Sequence, residues 1–173
     1  MNRAELSELI EACGKDIYSF CVYLTQSRDE ADELYQDTFL TAAESSRKLD
    51  ISQNPKGWLI SSAVKLWTNK KRKFARRMRL FLSVAEENSG EIPDTSPCPE
   101  DGFIENEERQ AVISAVKRLP DKQRIPILLF YTEEMSVTEI SQTLGIPEGT
   151  VKSRLSEARK KLRKYLEADG YGR

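Results

Sequence analysis

Apolar residues recur at helical spacing almost from the start of the chain. Leu6, Leu9, Ile10, Cys13, Ile17, Phe20, Cys21 and Leu24 fall three or four apart, which predicts one amphipathic helix over 4–25. Residues 25–28 read as a turn, and a second helix is predicted over 29–47. Acidic residues crowd its first turn, where the helix dipole favours them. Its apolar stripe is Ala31, Leu34, Tyr35, Thr38, Phe39 and Ala42, and its far face presents Glu33, Gln36, Asp37 and Leu40. Residues 49–56 are predicted as a loop from their Asp, Ser, Asn and Pro content. Gly57-Trp58-Leu59 then opens a third helix, with Leu59, Ala63 and Leu66 as its inner stripe.

The helical pattern resumes near Glu105. Val112, Ala115, Val116 and Leu119 predict a helix ending at Pro120-Asp121, and the apolar run Ile125 to Tyr131 is expected in the core. Ser136 with Glu139 three residues on marks a capped helix start. That helix is short and closes at Leu144-Gly145, where glycine supplies a left-handed turn without steric cost. A further helix runs to about Tyr165. Its buried stripe is Val151, Leu155, Ala158 and Leu162, at spacings of four, three and four. The opposite face carries Lys152, Ser153, Ser156, Glu157 and Lys160, flanked by Arg154 and Arg159. Two short helices joined by a glycine turn, the second apolar behind and basic-polar in front, form a helix-turn-helix. Any helical hairpin in a bundle also has an apolar stripe and a charged outer face. The turn chemistry and the short side chains of Ser153 and Ser156, which admit base edges closely, favour DNA.

Composition supports an all-α chain, with 32% of residues charged, 39% hydrophobic and glycine sparse, and 173 residues make one medium domain or two small ones. The net charge of −1 conceals a strong segregation. The third helix carries Lys65, Lys70, Lys71, Arg72, Lys73, Arg76, Arg77 and Arg79 beside Trp58, Trp67 and Phe74. Cations track phosphates while aromatic rings stack on unpaired bases, so this pattern suits nucleic acid. A solvated basic helix end or a membrane-surface helix would share the charge. The composition then inverts, with no lysine or arginine between Leu80 and Glu108 and three prolines, Pro93, Pro97 and Pro99, across the middle. The expected organisation is a first domain over 1–80, an acidic flexible linker over 81–104, a second domain over 105–168 ending in the helix-turn-helix, and a tail over 169–173.

Histidine is absent, which removes histidine-based acid–base catalysis, serine and cysteine triads and the common zinc sites. Cys13, Cys21 and Cys98 lack metal or redox spacing, and no phosphate-cradling glycine loop occurs. No catalytic residue, metal or cofactor is expected. With no amino-terminal signal sequence, and no apolar run approaching the roughly 18–20 residues that span a bilayer, the protein is expected in the cytoplasm without membrane insertion.

The order acidic-faced helix, basic aromatic helix, acidic linker and terminal helix-turn-helix resembles the extracytoplasmic-function subgroup of bacterial RNA polymerase sigma factors, over nearly the whole chain. Three passages carry the resemblance. Asp32-Glu33-Leu34-Tyr35-Gln36-Asp37-Thr38-Phe39 looks like the family's core-polymerase-binding segment. Asn54-Pro55-Lys56-Gly57-Trp58-Leu59 looks like the entry to its promoter-melting helix. Leu119-Pro120-Asp121-Lys122-Gln123-Arg124, with Glu139-Ile140 and the run from Pro147 to Leu155, looks like its second DNA-binding domain.

The resemblance implies that Glu33, Gln36, Asp37 and Leu40 bind the clamp helices of core polymerase. It implies that the −10 promoter element is recognised and opened by Trp58, Lys65, Trp67, Asn69, Lys70, Lys71 and Arg72, with a flipped base held by the 49–56 loop and this helix. The −35 element would be read by Thr150, Lys152, Ser153, Arg154, Ser156, Glu157 and Lys160. The linker would thread the polymerase's nucleic-acid channel, and an anti-sigma protein would regulate the whole. The sequence departs from the family at Lys65, where asparagine is usual, at Asn69, where an acid is usual, and at Glu157, where arginine is frequent. A glutamate there accepts from a cytosine amino group or pairs with Lys160 or Lys161. A free-standing helix-turn-helix repressor or activator would explain residues 136–164 but leave the acidic face and the basic aromatic helix without purpose. A nuclease would need a carboxylate metal site that the basic face lacks.

Overall fold

The structure, a computed structural model, describes residues 3–45, 54–84 and 107–171, and these form seven α-helices with no strand among the described residues. The chain divides into two units, residues 1–98 and 99–173. The linker expected over 81–104 lies outside the described residues from 85 onward, as do residues 49–53 of the 49–56 loop.

In the first unit α1 (Arg3–Thr25), α2 (Arg28–Glu44) and α3 (Pro55–Val84) pack pairwise against one another. The α1 stripe is buried as its spacing predicts, with Ile17, Phe20, Cys21 and Leu24 at most 1% exposed, although Ile10 reaches the surface. At the end of α1, Gln26 takes a left-handed turn (φ 61°), and extended Ser27 caps α2 by accepting from the Glu30 amide. Gly14 lets α1 and α2 approach closely: a Cβ there would lie 2.9 Å from the Tyr35 hydroxyl. Tyr35 in turn sits between Tyr18 (ring centroids 5.6 Å apart) and Phe39 (4.9 Å). Cys13 and Cys21 are buried thiols, and burial pushes the Cys21 pKa up to about 12.

α3 begins two residues earlier than the sequence suggests. Asn54 caps it by accepting from the Gly57 amide (2.8 Å), and Pro55 occupies the first helical position, where a missing N–H costs nothing. Gly57 is needed at this cap, because a Cβ would lie 2.6 Å from the Asn54 amide nitrogen. The helix continues to Val84, past the domain edge expected at residue 80. Its buried residues are Leu59, Ile60, Ala63, Val64 and Trp67, so the inner stripe is rotated from the Leu59–Ala63–Leu66 expectation. Leu66 is only half-buried.

In the second unit α4 (Glu107–Lys117), α5 (Asp121–Tyr131) and α6 (Val137–Leu144) each pack on α7 (Glu148–Ala168). The apolar 125–131 run forms the body of α5, with Ile125 to Leu129 buried but Tyr131 58% exposed. Asp169, expected in the tail, accepts from Arg118 Nη1 (3.1 Å) and ties the end of α7 to the end of α4. The guanidinium of Arg118 also lies over the Tyr165 ring, 4.1 Å from its centroid.

The α6 start is a complete capping box. Ser136 Oγ accepts from the Glu139 amide (3.2 Å), while Glu139 Oε2 accepts from the Ser136 amide and hydroxyl, each at 2.7 Å. Those hydrogen bonds to the charged form hold the Glu139 carboxyl below its ordinary value, with the Ser136 hydroxyl the larger cause. A depressed folded-state pKa gives stabilisation that is complete above the unfolded value and is lost as pH falls through the folded one. Ser136→Ala is therefore expected to cost the second unit about 1 kcal/mol, measured by thermal unfolding. Glu139→Gln should remove the capping box's contribution to the loss of stability in acid.

Candidate functional site

The candidate residues fall on three faces, two on the first unit and one on the second. On α2 the buried residues Ala31, Leu34, Thr38, Phe39 and Ala42 leave Glu33, Gln36, Asp37 and Leu40 on the outer side, all exposed. Spacings of three and four bring these four together as one patch. Leu40, at its C-terminal end, is 60% exposed. An apolar side chain beside two acids suits a partner surface that sets basic groups beside an apolar socket.

The seven residues expected to meet the −10 element do not share a face. Trp58, Lys65, Asn69 and Arg72 follow one another at spacings of seven, four and three, which places them in one row along α3. Lys65, Asn69 and Arg72 are exposed and Trp58 is half-buried. Trp67 points the other way. It is 1% exposed and the largest fully buried side chain, so the expectation that it stacks on a base is corrected: its ring fills the core. Lys71 Nζ lies over that ring, 4.7 Å from its centroid. Lys70 Nζ forms an ion pair with Glu33 Oε2 at 2.6 Å. A residue expected to hold DNA and one expected to hold polymerase thus engage each other where α3 crosses α2. With both side chains largely exposed, this pair contributes at most about 1 kcal/mol and breaks readily when better partners arrive.

The second unit presents the helix-turn-helix. Gly145 takes the left-handed conformation (φ 64°) that ends α6, and Pro147 leads into α7. Two hydrogen bonds fix the turn: Ser141 Oγ donates to the Ile146 carbonyl (2.6 Å), and Thr138 Oγ1 donates to Glu148 Oε1 (2.7 Å). Val151, Leu155 and Ala158 are buried, while Lys152, Ser153, Ser156, Glu157 and Lys160 are exposed together on the opposite face. Thr150 and Arg154 are half-buried at its margins. Ser153 Oγ donates back to the Gly149 carbonyl (3.0 Å), leaving its lone pairs to accept. On the flank, Arg159 Nε donates to Tyr131 Oη at 2.9 Å.

Glu157 pairs with neither Lys160 nor Lys161, the alternatives open from sequence. Its Oε2 accepts from Gln123 Nε2 at 2.9 Å. Gln123 and Arg124 were not legible as core residues, yet they are 2% and 5% exposed. Arg124 Nη2 meets Asp121 Oδ1 at 2.8 Å, a pairing that the i, i+3 spacing after Pro120 could have signalled. Burial lowers the Arg124 pKa, and Asp121 opposes the shift. Among the described residues no group of three or more acidic or cysteine side chains is placed to hold a metal, and no helix is long and apolar enough to cross a membrane.

Known proteins match both units. Residues 9–77 match the model of Sigma-70 region 2, and residues 109–162 match that of Sigma-70, region 4. The ECF RNA polymerase sigma factor SigW of Bacillus subtilis is 30% identical, over 92% of this chain and 88% of its own length. The RNA polymerase sigma factor CnrH of Cupriavidus metallidurans is 31% identical, over 81% and 75% respectively. Among solved structures, the sigma factor RpoE in complex with the anti-sigma factor NepR from Bartonella quintana superposes with a TM-score of 0.67. It is 25% identical and covers 96% of this chain and 97% of that one.

Proposed function

The chain belongs to the extracytoplasmic-function group of RNA polymerase sigma factors, and from that premise we propose how its faces divide the work of starting transcription. As a sigma factor it binds core RNA polymerase and directs promoter recognition and DNA opening. It acts as a non-catalytic subunit in the cytoplasm, where polymerase works. Glu33, Gln36, Asp37 and Leu40 dock on polymerase. The row Trp58, Lys65, Asn69 and Arg72 meets the −10 element, with Lys70 and Lys71 reaching phosphates from its side. Lys152, Ser153, Ser156, Glu157 and Lys160 read the −35 element, with Thr150 and Arg154 at the border of the contact.

The observation that carries this reading is the pairing, in one small unit, of an acidic face with an exposed leucine on α2 and a separate outward row on α3 that carries Lys65 and Arg72. A free-standing repressor has no use for the first. The RpoE relative is in complex with an anti-sigma factor, and an anti-sigma partner covering the α2 face would keep this chain from polymerase.

Promoter binding should depend on the partner. Two weak contacts held on one scaffold gain roughly 10²-fold or more in combined affinity, so the chain alone should bind promoter duplex at least that much more weakly than its complex with core polymerase. Co-purification with bacterial core polymerase, followed by run-off transcription from a genomic promoter library, tests this. No retention by polymerase, together with tight salt-dependent duplex binding by the chain alone, would transfer the case to the repressor.

A further inference from the structure

We propose that Gln123, a buried residue outside the recognition helix, sets base preference at one −35 position by fixing the carboxylate of Glu157. The inference rests on the −35 reading above and adds a positioning residue to it. Gln123 lies in the first turn of α5, its own amide bonded to the Pro120 carbonyl at 2.8 Å. Its side chain is 2% exposed, so it cannot touch DNA itself. It reaches across to α7 and donates from Nε2 to Glu157 Oε2 at 2.9 Å. Glu157 stands exposed among Ser153, Ser156 and Lys160 on the face turned away from the core.

An exposed glutamate on a helix ordinarily samples many rotamers, and ordering it on contact with DNA opposes binding. A rigid donor from the core removes much of that disorder beforehand. It also uses up one acceptor position on Oε2 and leaves Oε1 to project. A carboxylate accepts and never donates, so the base edge it selects must carry an amino group. In the major groove cytosine N4 is the match; adenine also offers an amino group at N6 but sets the N7 acceptor beside it, and the guanine O6/N7 edge and thymine O4 present only acceptors to the carboxylate. The amide of Gln123 is asymmetric in the same sense: its Oε1 is buried and finds no partner among the described residues. Burying half an amide unsatisfied is unfavourable. The N–H directed at Glu157 supplies a reason for an amide at this position.

The test uses the full chain assembled with core polymerase and a promoter library varied one base at a time through the −35 element. The wild-type complex should prefer cytosine at one position by roughly 10-fold. Gln123→Met, similar in bulk but unable to donate, should reduce that preference to about twofold or threefold while contrasts at other positions hold. Gln123→Leu likewise lacks a donor, and it should do the same if the Met variant proves unstable. Glu157→Gln, a surface change, should shift preference at that same position, and adding Gln123→Met to it should produce little more. An unchanged profile for both Gln123 variants, or a uniform loss across all sequences, would overturn the proposal and leave Gln123 a packing residue. A Glu157→Gln complex that transcribes with an unaltered profile would overturn it while leaving the sigma assignment intact. Failure of the wild-type chain to assemble with polymerase at all would sink both.

Discussion

Trp67→Ala should unfold the first unit, or leave it barely folded, and not merely weaken its hold on DNA. The indole is 1% exposed and belongs to the seam Leu59, Ile60, Ala63, Val64 and Trp67 by which α3 packs on α1 and α2. Truncating a buried aromatic to alanine costs about 3–5 kcal/mol, which is most of the stability of a small domain. The Lys71 ammonium over the ring adds a further fraction to the loss. Thermal or denaturant unfolding of the variant is the check. Trp58→Ala provides the contrast, since that ring is half-buried on the outward row and its loss should cost less stability and more promoter opening. A Trp67→Ala protein that melted like the parent but failed to open promoters would return Trp67 to the DNA surface and invalidate the two-faced description of α3.

The second large effect is expected at Leu40. Desolvating an exposed leucine in an interface contributes about 1.5–3 kcal/mol. An aspartate in its place forfeits that and must itself be desolvated. Leu40→Asp should therefore weaken polymerase binding roughly 10- to 100-fold with helicity and melting little changed, because the side chain is already 60% exposed. Asp37→Lys should produce a smaller loss that grows as salt is lowered, the mark of a charge contact at the rim. Equal retention of the parent and Leu40→Asp on immobilised core polymerase would show this face to be merely solvated.

The capping and turn chemistry was readable residue by residue. Ser136, Glu139, Gly145 and the Val151–Leu155–Ala158 stripe act locally, through spacing and backbone geometry, and the helix-turn-helix forms where they predict it. The phase of α3 was not readable in the same way. Leu59–Ala63–Leu66 and Leu59–Ala63–Trp67 both satisfy helical spacing, and the second stripe wins because it brings Ile60, Val64 and a tryptophan into the core. Reading Trp67 for its affinity to bases hid its larger contribution as buried apolar surface. Gln123 escaped notice for another reason. Its partner Glu157 lies 34 residues away, and no periodicity within either helix reports a contact made only when α5 meets α7.

The two thiols on α1 give the first unit an internal clock. Cys21 is fully enclosed and burial pushes its pKa up to about 12, so at neutral pH the sulfur stays a thiol and not the thiolate that alkylating reagents attack. Cys13, 8% exposed, is also held above its ordinary value by burial. In a chain with Cys98 replaced by serine, capture of these sulfurs by reagent therefore proceeds through excursions in which α1 leaves α2 and α3. The labelling half-life then reads out how often those three helices part, with no probe added to the protein.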